Sequence, residues 1–515
     1  MGMIQKSSGV LFLLLGVSLF PGATTAQDVA LDYAAAFSGA EDNQAFGVAV
    51  DDNGNTYVTG QFRGTVDLDP GLGTSEVTSA GSDDIFVVKL DDTGALVWSR
   101  TFGGTVKDEV NEIRLDATGN IYVGGTFTGT VDFDPGEGVS QLPGRGSSDI
   151  FVLKLDPSGD FIWARAIGNS FTDNLEGMDV DSTGAVYSTG YFRGTLDFDP
   201  SDEFNNITSN GDADAFVFKL DADGNFAWAT SFSGSGREEG FGLAVDGMDN
   251  ACIVGRFEDT VDFDSSEGEF LLTSFGVTDI FAAKLNSDGE LVWARQMGGT
   301  GIEQGEAIAA DSAGNVYTTG FYSGTVDFDP GAGTDEIFSL SDSVFISKLD
   351  SAGNHVWARS LGGNSRDTGL AIAVGGEGSV YTTGYFQGTI DLDPGAGEAN
   401  VTTAGVTDIF VSRLDVDGDF VWGKQFPGAG FDQGESIVVD AAHNVFVAGT
   451  FELTVDFDPG VGEANLTAPD GNTDGFLVKL GFVESGGEGE GEGEGEGEGE
   501  GEGEGEGEGK VKVQV

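Results

Sequence analysis

The sequence is poor in cysteine and histidine. It has one cysteine, Cys252, and two histidines among its 515 residues. One cysteine excludes an intramolecular disulfide framework and a zinc knuckle. Cys252 occupies a repeat position that other copies fill with Tyr or Phe. We therefore expect a small buried apolar side chain there rather than a nucleophile.

Cationic residues are also scarce, with 23 Lys and Arg against 87 Asp and Glu, which gives a formal net charge of -64. Such a charge argues against nucleic acid and anionic membrane surfaces as partners. It suits cations, Ca²⁺ above all, or a high-salt habitat.

Long apolar runs are missing as well. The N-terminal apolar stretch, residues 10–20, is shorter than the roughly 18 residues or more that a membrane-spanning helix needs. Lys6 precedes it, and small residues follow it up to Ala26. This pattern predicts a signal peptide over residues 1–26 rather than an uncleaved anchor, and hence a secreted or cell-surface protein with no membrane span in the mature chain.

Most of the chain is a repeat. The segment Gly-Thr-Val-Asp-Phe-Asp-Pro-Gly and its variants recur with steps of 65, 65, 65, 65, 64 and 65 residues. A fixed period over nearly the whole chain indicates a repeat architecture, in which each residue has equivalents in the other repeats. The aliphatic position of the segment falls at Val66, Val131, Leu196, Val261, Val326, Ile390 and Val455.

Each repeat predicts four short strands and no helix. In the second copy, alternating β-branched and aromatic residues over 112–116, 121–127, 149–155 and 161–167 are separated by Asp-x-x-Gly turns and a polar loop. Four strands per repeat and seven repeats are typical of a β-propeller. We expect an all-β, seven-bladed β-propeller over residues 27–483.

Tryptophan spacing provides an independent check on this register. One tryptophan lies in the fourth strand of each repeat, at Trp98, Trp163, Trp228, Trp293, Trp357 and Trp422. One period before Trp98 lies Tyr33, while the last repeat leaves the array without a fourth strand. The N-terminal strand, around residues 31–37, is therefore expected to complete the last blade and to remove a free sheet edge.

These residues resemble the SBBP repeat of seven-bladed β-propellers, which is related in pattern to NHL-type propellers. The matching motifs are residues 308–320, 408–415 and the Val-Trp-Ala-Arg of 292–295. The resemblance covers about residues 28–482. It implies an exported or surface-associated bacterial propeller and carries over no catalytic residues.

The C-terminal region is different in kind. Residues 484–509 are mostly alternating Gly and Glu, which bury no apolar surface and repel one another, so we expect a disordered linker. Residues 510–515 alternate like the start of a strand and form a stub of unknown role.

The first candidate site is the pair of aspartates in each Asp-x-Asp-Pro-Gly segment. Alternate positions on an extended strand place both carboxylates on one side, about 6–7 Å apart, and hard oxygens suit Ca²⁺. In the alternative interpretation the pair caps the Pro-Gly turn. The candidate metal ligands are Asp67, Asp69, Asp132, Asp134, Asp197, Asp199, Asp262, Asp264, Asp327, Asp329, Asp391, Asp393, Asp456 and Asp458.

The second candidate is a ring of acids between the fourth strand of one repeat and the first strand of the next. Near a channel mouth such a ring suits a cation. Alternatively, each acid caps loop N–H groups beside its glycine neighbours. Its members are Asp108, Asp173, Glu238, Glu303, Asp367 and Asp432, with Asn43 in the seventh position.

Catalytic signatures are poor. His355 and His443 lie beside turns on the face with the shorter connections, and the segment from Gly234 to Gly240 links two strands and is not a phosphate loop. A catalytic site would break the sevenfold symmetry, and we find no such break in the sequence.

The sequence therefore favours a non-catalytic binding or display module, monomeric, with an extracellular glycan or protein ligand and Ca²⁺ as its candidate cofactor. The alternative is an extracellular polysaccharide hydrolase or lyase that uses paired carboxylates.

Overall fold

The computed structural model describes residues 27–265, 268–484 and 512–513. The predicted signal peptide and nearly all of the predicted linker lie outside these residues, as does most of the stub. Within them the chain is mainly antiparallel β-structure with one short 3₁₀ turn, Pro469–Gly471, and no α-helix. The all-β prediction is confirmed.

In chain order, the strands of the first half are β1 (Gln27–Gly39), β2 (Asn43–Val50), β3 (Thr56–Asp67), β4 (Glu76–Leu90), β5 (Leu96–Phe102), β6 (Asp108–Leu115), β7 (Ile121–Phe127), β8 (Thr130–Asp132), β9 (Gln141–Pro143), β10 (Asp149–Leu155), β11 (Phe161–Ile167), β12 (Asn174–Val180), β13 (Val186–Phe192), β14 (Thr195–Asp197), β15 (Asn206–Thr208), β16 (Asp214–Leu220), β17 (Phe226–Gly234), β18 (Glu238–Val245), β19 (Ala251–Phe257), β20 (Thr260–Asp262) and β21 (Leu271–Thr273).

The strands of the second half are β22 (Asp279–Leu285), β23 (Leu291–Gly299), β24 (Gln304–Ala310), β25 (Val316–Asp327), β26 (Glu336–Leu349), β27 (His355–Gly363), β28 (Asp367–Val374), β29 (Val380–Phe386), β30 (Thr389–Asp391), β31 (Asn400–Thr402), β32 (Asp408–Leu414), β33 (Phe420–Phe426), β34 (Gln433–Val439), β35 (Val445–Glu452), β36 (Thr454–Asp456), β37 (Asn465–Thr467), β38 (Thr473–Glu484) and β39 (Lys512–Val513).

Four antiparallel strands form the basic unit, which we call a four-strand group. In the second repeat, three strands have the predicted bounds, Ile121–Phe127, Asp149–Leu155 and Phe161–Ile167, and the first runs over Asp108–Leu115. The groups are β2-β3-β4-β5, β6-β7-β10-β11, β12-β13-β16-β17, β18-β19-β22-β23, β24-β25-β26-β27, β28-β29-β32-β33 and β34-β35-β38-β1. We call their members first to fourth strands in that order.

The N-terminal strand supplies the fourth strand of the group that begins with β34. β1 pairs with β38 along its length, with Ala30 opposite Gly481 and Phe37 opposite Gly475. The two-residue strand β39 pairs parallel with β1 at Tyr33 and Ala34.

The Asp-x-Asp-Pro-Gly segments form hairpins, which we call insert hairpins. Five are separate strand pairs, such as β8 with β9, and two are continuations of longer strands, β3 with β4 and β25 with β26. Six of the seven also pair with the fourth strand of the preceding group or with the residues just after it, for example at Gly103 opposite Asp132. The backbone groups of that outer edge are therefore partly paired and not left open.

The insert hairpins fold back along the outer rim, an arrangement that the sequence analysis did not predict. His355 Nε2, at the start of a fourth strand, lies 3.0 Å from Asp335 Oδ2 of an insert hairpin. The reason is apolar burial, because Val131 and Phe133 alternate with the aspartates and are fully buried. Phe133 packs 4.9 Å from Phe151 and 5.5 Å from Phe127, between ring centroids.

The Trp-x-Arg motif joins neighbouring groups. Trp163 Nε1 donates to the carbonyl of Ala222 (3.1 Å) and Arg165 Nε to that of Gly224 (2.7 Å), both in the turn between β16 and β17. Trp163 also meets Tyr122 edge to face at 6.2 Å. Arginines in four groups make this contact to the next turn: Arg100, Arg165, Arg295 and Arg359.

The Asp-x-x-Gly turns follow the predicted chemistry. Asp116 Oδ1 accepts the N–H groups of Thr118 and Asn120, and Gly119 has φ = 81°. The two residues that replace this glycine elsewhere, Asp249 and His443, have φ of 61° and 64°. The position requires the left-handed region, which Asp, Asn and His tolerate better than other side chains.

We expect Phe133→Ala to lower the free energy of unfolding by about 3–5 kcal/mol, because it leaves a cavity among buried aromatic rings. Urea unfolding followed by tryptophan fluorescence measures this change. Val139→Ala, at a side chain that is 74% exposed in the same hairpin, is the matched control. Equal stabilities of the two variants would contradict a structural role for the insert hairpin.

Candidate functional site

The aspartate pairs of the insert hairpins accept backbone hydrogen bonds. Asp132 Oδ1 accepts from Asp134 N (3.2 Å) and Ser140 N (2.7 Å), and Asp134 Oδ1 accepts from Gly136 N (2.8 Å). The first of these patterns recurs in all seven copies. The oxygens that a cation would use are therefore partly committed to turn capping.

The calcium interpretation stays a prediction. Among the described residues, no group of three or more His, Cys, Asp or Glu side chains is placed to hold a metal ion. A paired carboxylate that binds calcium would need further oxygens to reach the six to eight ligands that this ion prefers.

The second candidate set lies between neighbouring groups, on the face that carries the second-to-third and fourth-to-first connections, which we call the loop face. Asp108 Oδ2 accepts from Gly104 N (2.7 Å), and Asp173 Oδ2 from Asn169 N (2.8 Å). The same contact, from the backbone N–H group four residues upstream, is accepted by Glu238, Glu303 and Asp367. The capping interpretation of this ring is confirmed at these five positions.

Five of these acids face a second acid from the start of a third strand, and we call each such pair a junction pair. The facing carboxylate raises the pKa of the ring member in each of the pairs Asp84/Asp108, Asp149/Asp173, Asp214/Glu238, Asp279/Glu303 and Asp408/Asp432. Every pair has at least one partner that is fully buried. Sequence reasoning missed the second acids because they lie in another strand.

Two other junctions hold a neutral partner in the same place. Asn43 Nδ2 donates to Asp474 Oδ1 at 3.2 Å, and Ser343 occupies the repeat position of the second acid at the junction of Asp367. The amide therefore provides the donor that two facing carboxylates lack. Among the junction pairs, Asp84 Oδ1, Glu238 Oε1 and Glu303 Oε1 are buried without a hydrogen-bond partner, and at the amide junction Asn43 Oδ1 and Asp474 Oδ2 are too.

Burial and the facing charge raise the pKa of the ring carboxyls. Desolvation raises the pKa of Asp108 to about 6, and of Asp173, Glu303 and Asp432 to about 7. For Glu238, desolvation and then the charge of Asp214 raise the pKa to about 8. Four junction pairs thus hold a proton up to about neutral pH, and Asp84/Asp108 holds one up to about pH 6.

The loop face departs from the repeat at two junctions. Val277 and Ile302 are exposed side by side, with Val277 N donating to Gly301 O (2.9 Å), and Val406 and Phe431 repeat the arrangement. The corresponding positions elsewhere are polar: Asp42, Lys107, Thr172, Arg237 and Arg366 in place of Ile302.

A second departure from symmetry lies in a cavity of about 240 Å³ lined by residues of the first strands, β2, β6, β12, β18, β24, β28 and β34, which we call the channel. Each first strand carries a β-bulge against its second strand. The bulged residues are Phe46, Asn111, Glu176, Phe241, Glu306, Leu370 and Glu435. The sequence analysis did not single out this variation among the groups, because the period-2 strand pattern does not reveal a bulge.

The remaining sequence candidates are structural. Cys252 is fully buried, and burial raises the pKa of its thiol to about 12. The prediction of a buried apolar side chain is confirmed. No helix among the described residues is long and apolar enough to cross a membrane.

We expect Asp132→Ala to lower the free energy of unfolding by about 1–3 kcal/mol, because two loop N–H groups lose their acceptor. Urea unfolding measures this loss, with and without calcium. If the aspartates act as caps, calcium and chelator leave the midpoints unchanged. A calcium-dependent stabilisation of the wild type that is absent from the variant would favour the metal interpretation instead.

Because the pKa values of the ring carboxyls in the junction pairs are raised, we expect the free energy of unfolding to fall as pH rises. The folded pKa of Glu238, about 8, exceeds the ordinary value of about 4.3, so its contribution is present at low pH and is lost between about pH 4 and pH 8. The slope for one such group is about 1.4 kcal/mol per pH unit.

Glu238→Gln should flatten this dependence and leave the variant more stable than the wild type at pH 8. The amide retains an acceptor for Gly234 N and offers a donor to Asp214. Denaturant unfolding across this pH range is the measurement. Glu137→Gln, an exposed site, controls for charge, and equal slopes in both variants would contradict proton sharing.

Comparison with known proteins agrees with the repeat. A WD repeat-containing, uncharacterized protein of Acanthamoeba polyphaga mimivirus is 25% identical over 541 residues, covering 89% of this chain and 39% of its own length. Regulatory protein FlaEY of Caulobacter vibrioides is 29% identical over 189 residues, 37% of this chain and 19% of its own length. The chain therefore spans less than half the length of either relative.

Among solved structures, the WD40 repeats of RRP9 align with 10% identity and a TM-score of 0.45 over 88% of this chain and 99% of that one. Virginiamycin B lyase from Staphylococcus aureus aligns with 8% identity and a TM-score of 0.40 over 86% and 98%. The family description "Beta-propeller repeat", SBBP, matches residues 292–320. This segment holds the Trp-Ala-Arg motif and the following first and second strands, so the chain carries the SBBP β-propeller repeat.

Proposed function

We propose that the chain is an exported, non-catalytic binding module built as a closed seven-bladed β-propeller, which binds a protein or glycan through its loop face. The observation that carries this proposal is the pair of apolar junctions Val277/Ile302 and Val406/Phe431. Exposed apolar clusters rimmed by polar groups are typical of interaction sites.

Three contacts between the chain ends support closure. β1 pairs with β38, Asn43 bonds to Asp474, and Val48 N donates to Ser436 Oγ at 3.3 Å. These contacts join residues about 400 positions apart, which is the arrangement that a ring of blades requires.

The composition of the loop face supports a binding role. Between the two apolar junctions lies a charged one, where Arg366 Nε is 3.5 Å from Asp342 Oδ2 and the guanidinium lies 5.9 Å from the Phe321 ring. Phe431 contacts Tyr385 at 6.1 Å. Aromatic residues and Arg dominate the energetics of interfaces, and a rigid β-scaffold holds them in place.

Export and display at the cell surface follow from the predicted signal peptide and the acidic linker, and calcium stabilisation is retained as part of the proposal. Fractionation of the source cells addresses export. Recovery of the chain in the cytoplasm with residues 1–26 intact would contradict it.

The binding proposal is tested by selecting ligands from arrays of extracellular glycans and proteins with the full chain. We expect Ile302→Ser and Phe431→Ser to weaken binding of the selected ligand about tenfold or more, because each removes an exposed apolar anchor. Met248→Ser is the matched control, since Met248 is 63% exposed on a turn of the opposite face.

Selected ligands whose affinities are unchanged in both loop-face variants would contradict the assignment of this face. If the purified protein cleaves a polysaccharide and releases products from it, the non-catalytic proposal is contradicted.

A further inference from the structure

An asparagine-x-threonine motif occurs three times in the sequence, at Asn206, Asn400 and Asn465. No other asparagine of the chain is followed two positions later by serine or threonine. This motif is the acceptor sequence for N-linked glycans on exported proteins, where it is found at the protein surface. The motif alone does not make a site, so its surroundings in the fold decide what it can do.

All three motifs occupy the same position of the insert hairpins. Each asparagine is the first residue of the outer strand of its hairpin, in β15, β31 and β37. Among the described residues these strands pair only with the inner strand of the hairpin, so their other edge is open. The motifs therefore lie on the outer rim of the molecule, where no other strand covers them.

The fold does not require an asparagine at this position. In the other four hairpins the equivalent residues are Glu76, Gln141, Leu271 and Glu336. Side chains of different charge and polarity are thus accepted in the same backbone pairing. The asparagine of the other three hairpins therefore has no structural task that the pairing itself imposes.

The side-chain amides of the motif asparagines are free. All three residues are exposed, and in the described part of the chain no residue hydrogen-bonds to the side chain of Asn206, Asn400 or Asn465. Asparagines of the Asp-x-x-Gly turns are bonded, as where Asn120 Nδ2 donates to Asp116 Oδ2 at 2.8 Å. A free and exposed Nδ2 is the atom to which an N-linked glycan is joined.

The threonines of the motifs lie on the same side of the strand as the asparagines, because side chains two residues apart share one face. Thr208, Thr402 and Thr467 are all exposed, and each hydroxyl lies 2.8–2.9 Å from a threonine hydroxyl of the inner strand. The middle residues pack inward against the hydrophobic core; they are Ile207, Val401 and Leu466. The amide and the hydroxyl that define the motif therefore both face solvent.

We propose that Asn206, Asn400 and Asn465 are acceptors for N-linked oligosaccharides, transferred from a lipid-linked oligosaccharide diphosphate during export. Nδ2 of the asparagine attacks the anomeric carbon of the first sugar, and a carbon–nitrogen bond replaces the bond from that carbon to the phosphate oxygen. The lipid diphosphate leaves with the electron pair of the broken bond, and the amide loses one proton.

This modification rests on the export part of the proposed function and not on its binding part. Glycans on the insert hairpins extend from the outer rim and leave the apolar junctions of the loop face uncovered. Carrying glycans and binding a ligand are therefore separate properties of the chain, which separate measurements can test.

The test is peptide mass spectrometry of the full chain, recovered from cells whose export pathway contains an oligosaccharyltransferase. We expect glycopeptides at all three asparagines, each converted to aspartate by a peptide N-glycosidase. Asn206→Gln, Asn400→Gln and Asn465→Gln should each remove one glycan. Asn205→Gln is the matched control, because this neighbouring asparagine lies outside the motif, and it should leave all three glycans in place.

Threonine and hairpin variants test the motif itself. Thr402→Ser keeps the hydroxyl and should keep the glycan on Asn400, whereas Thr402→Val should remove it. Glu76→Asn completes the motif in the first hairpin, which already has Thr78 at the third position. Because Glu76 and Thr78 are both exposed, this variant should gain one glycan.

A chain that is exported with its asparagines unmodified, in cells that glycosylate a reference protein, would overturn the proposal. An unchanged number of glycans in Glu76→Asn would overturn the argument that this hairpin position is accessible to the transferase. If the chain is not exported, the proposed function fails first, and a purified transferase with its lipid-linked donor, added during cell-free synthesis of the full chain, decides the modification alone. Transfer to the three asparagines then supports the assignment of the sites, and no transfer overturns it.

Discussion

Every four-strand group has two apolar faces that it cannot bury alone, and the rest of the structure depends on this constraint. Burial against neighbours on both sides brings the first strands together around one cavity and leaves the fourth strands outside. The inner strands therefore meet at equivalent positions, which is how Glu176, Glu306 and Glu435 come to share one space. The outer strands need other partners, and the insert hairpins provide them.

The strands and turns could be predicted from the sequence because their signals are local. Alternation over Ile121–Phe127 and the Asp116 turn are both contained within a few residues. The insert hairpins could not, since the strand they bond to belongs to the preceding repeat and alternate Asp residues suggest an exposed loop. Phe133, buried between Phe127 and Phe151, provides most of the reason they fold inward.

The candidate sites were predicted less well than the fold, for a related reason. The ring acid Asp108 is visible from its spacing, but its partner Asp84 lies in a different strand of the preceding group. The channel residues differ among repeats, so a search for residues that recur at a fixed period does not find them. In a repeat protein, residues that are the same in every repeat serve the fold, and positions that differ among repeats are candidates for function.

The junction of Asn43 with Asp474 lies where the first and last parts of the chain meet. An amide keeps its donor at every pH, whereas two facing carboxyls keep theirs only while protonated. The seam between the first and last groups therefore keeps one hydrogen bond at every pH, while burial raises the pKa of Asp474 to about 6. Above that pH the ionised Asp474 is a buried charge, so a rise in pH is expected to weaken the seam as well as the interior junctions.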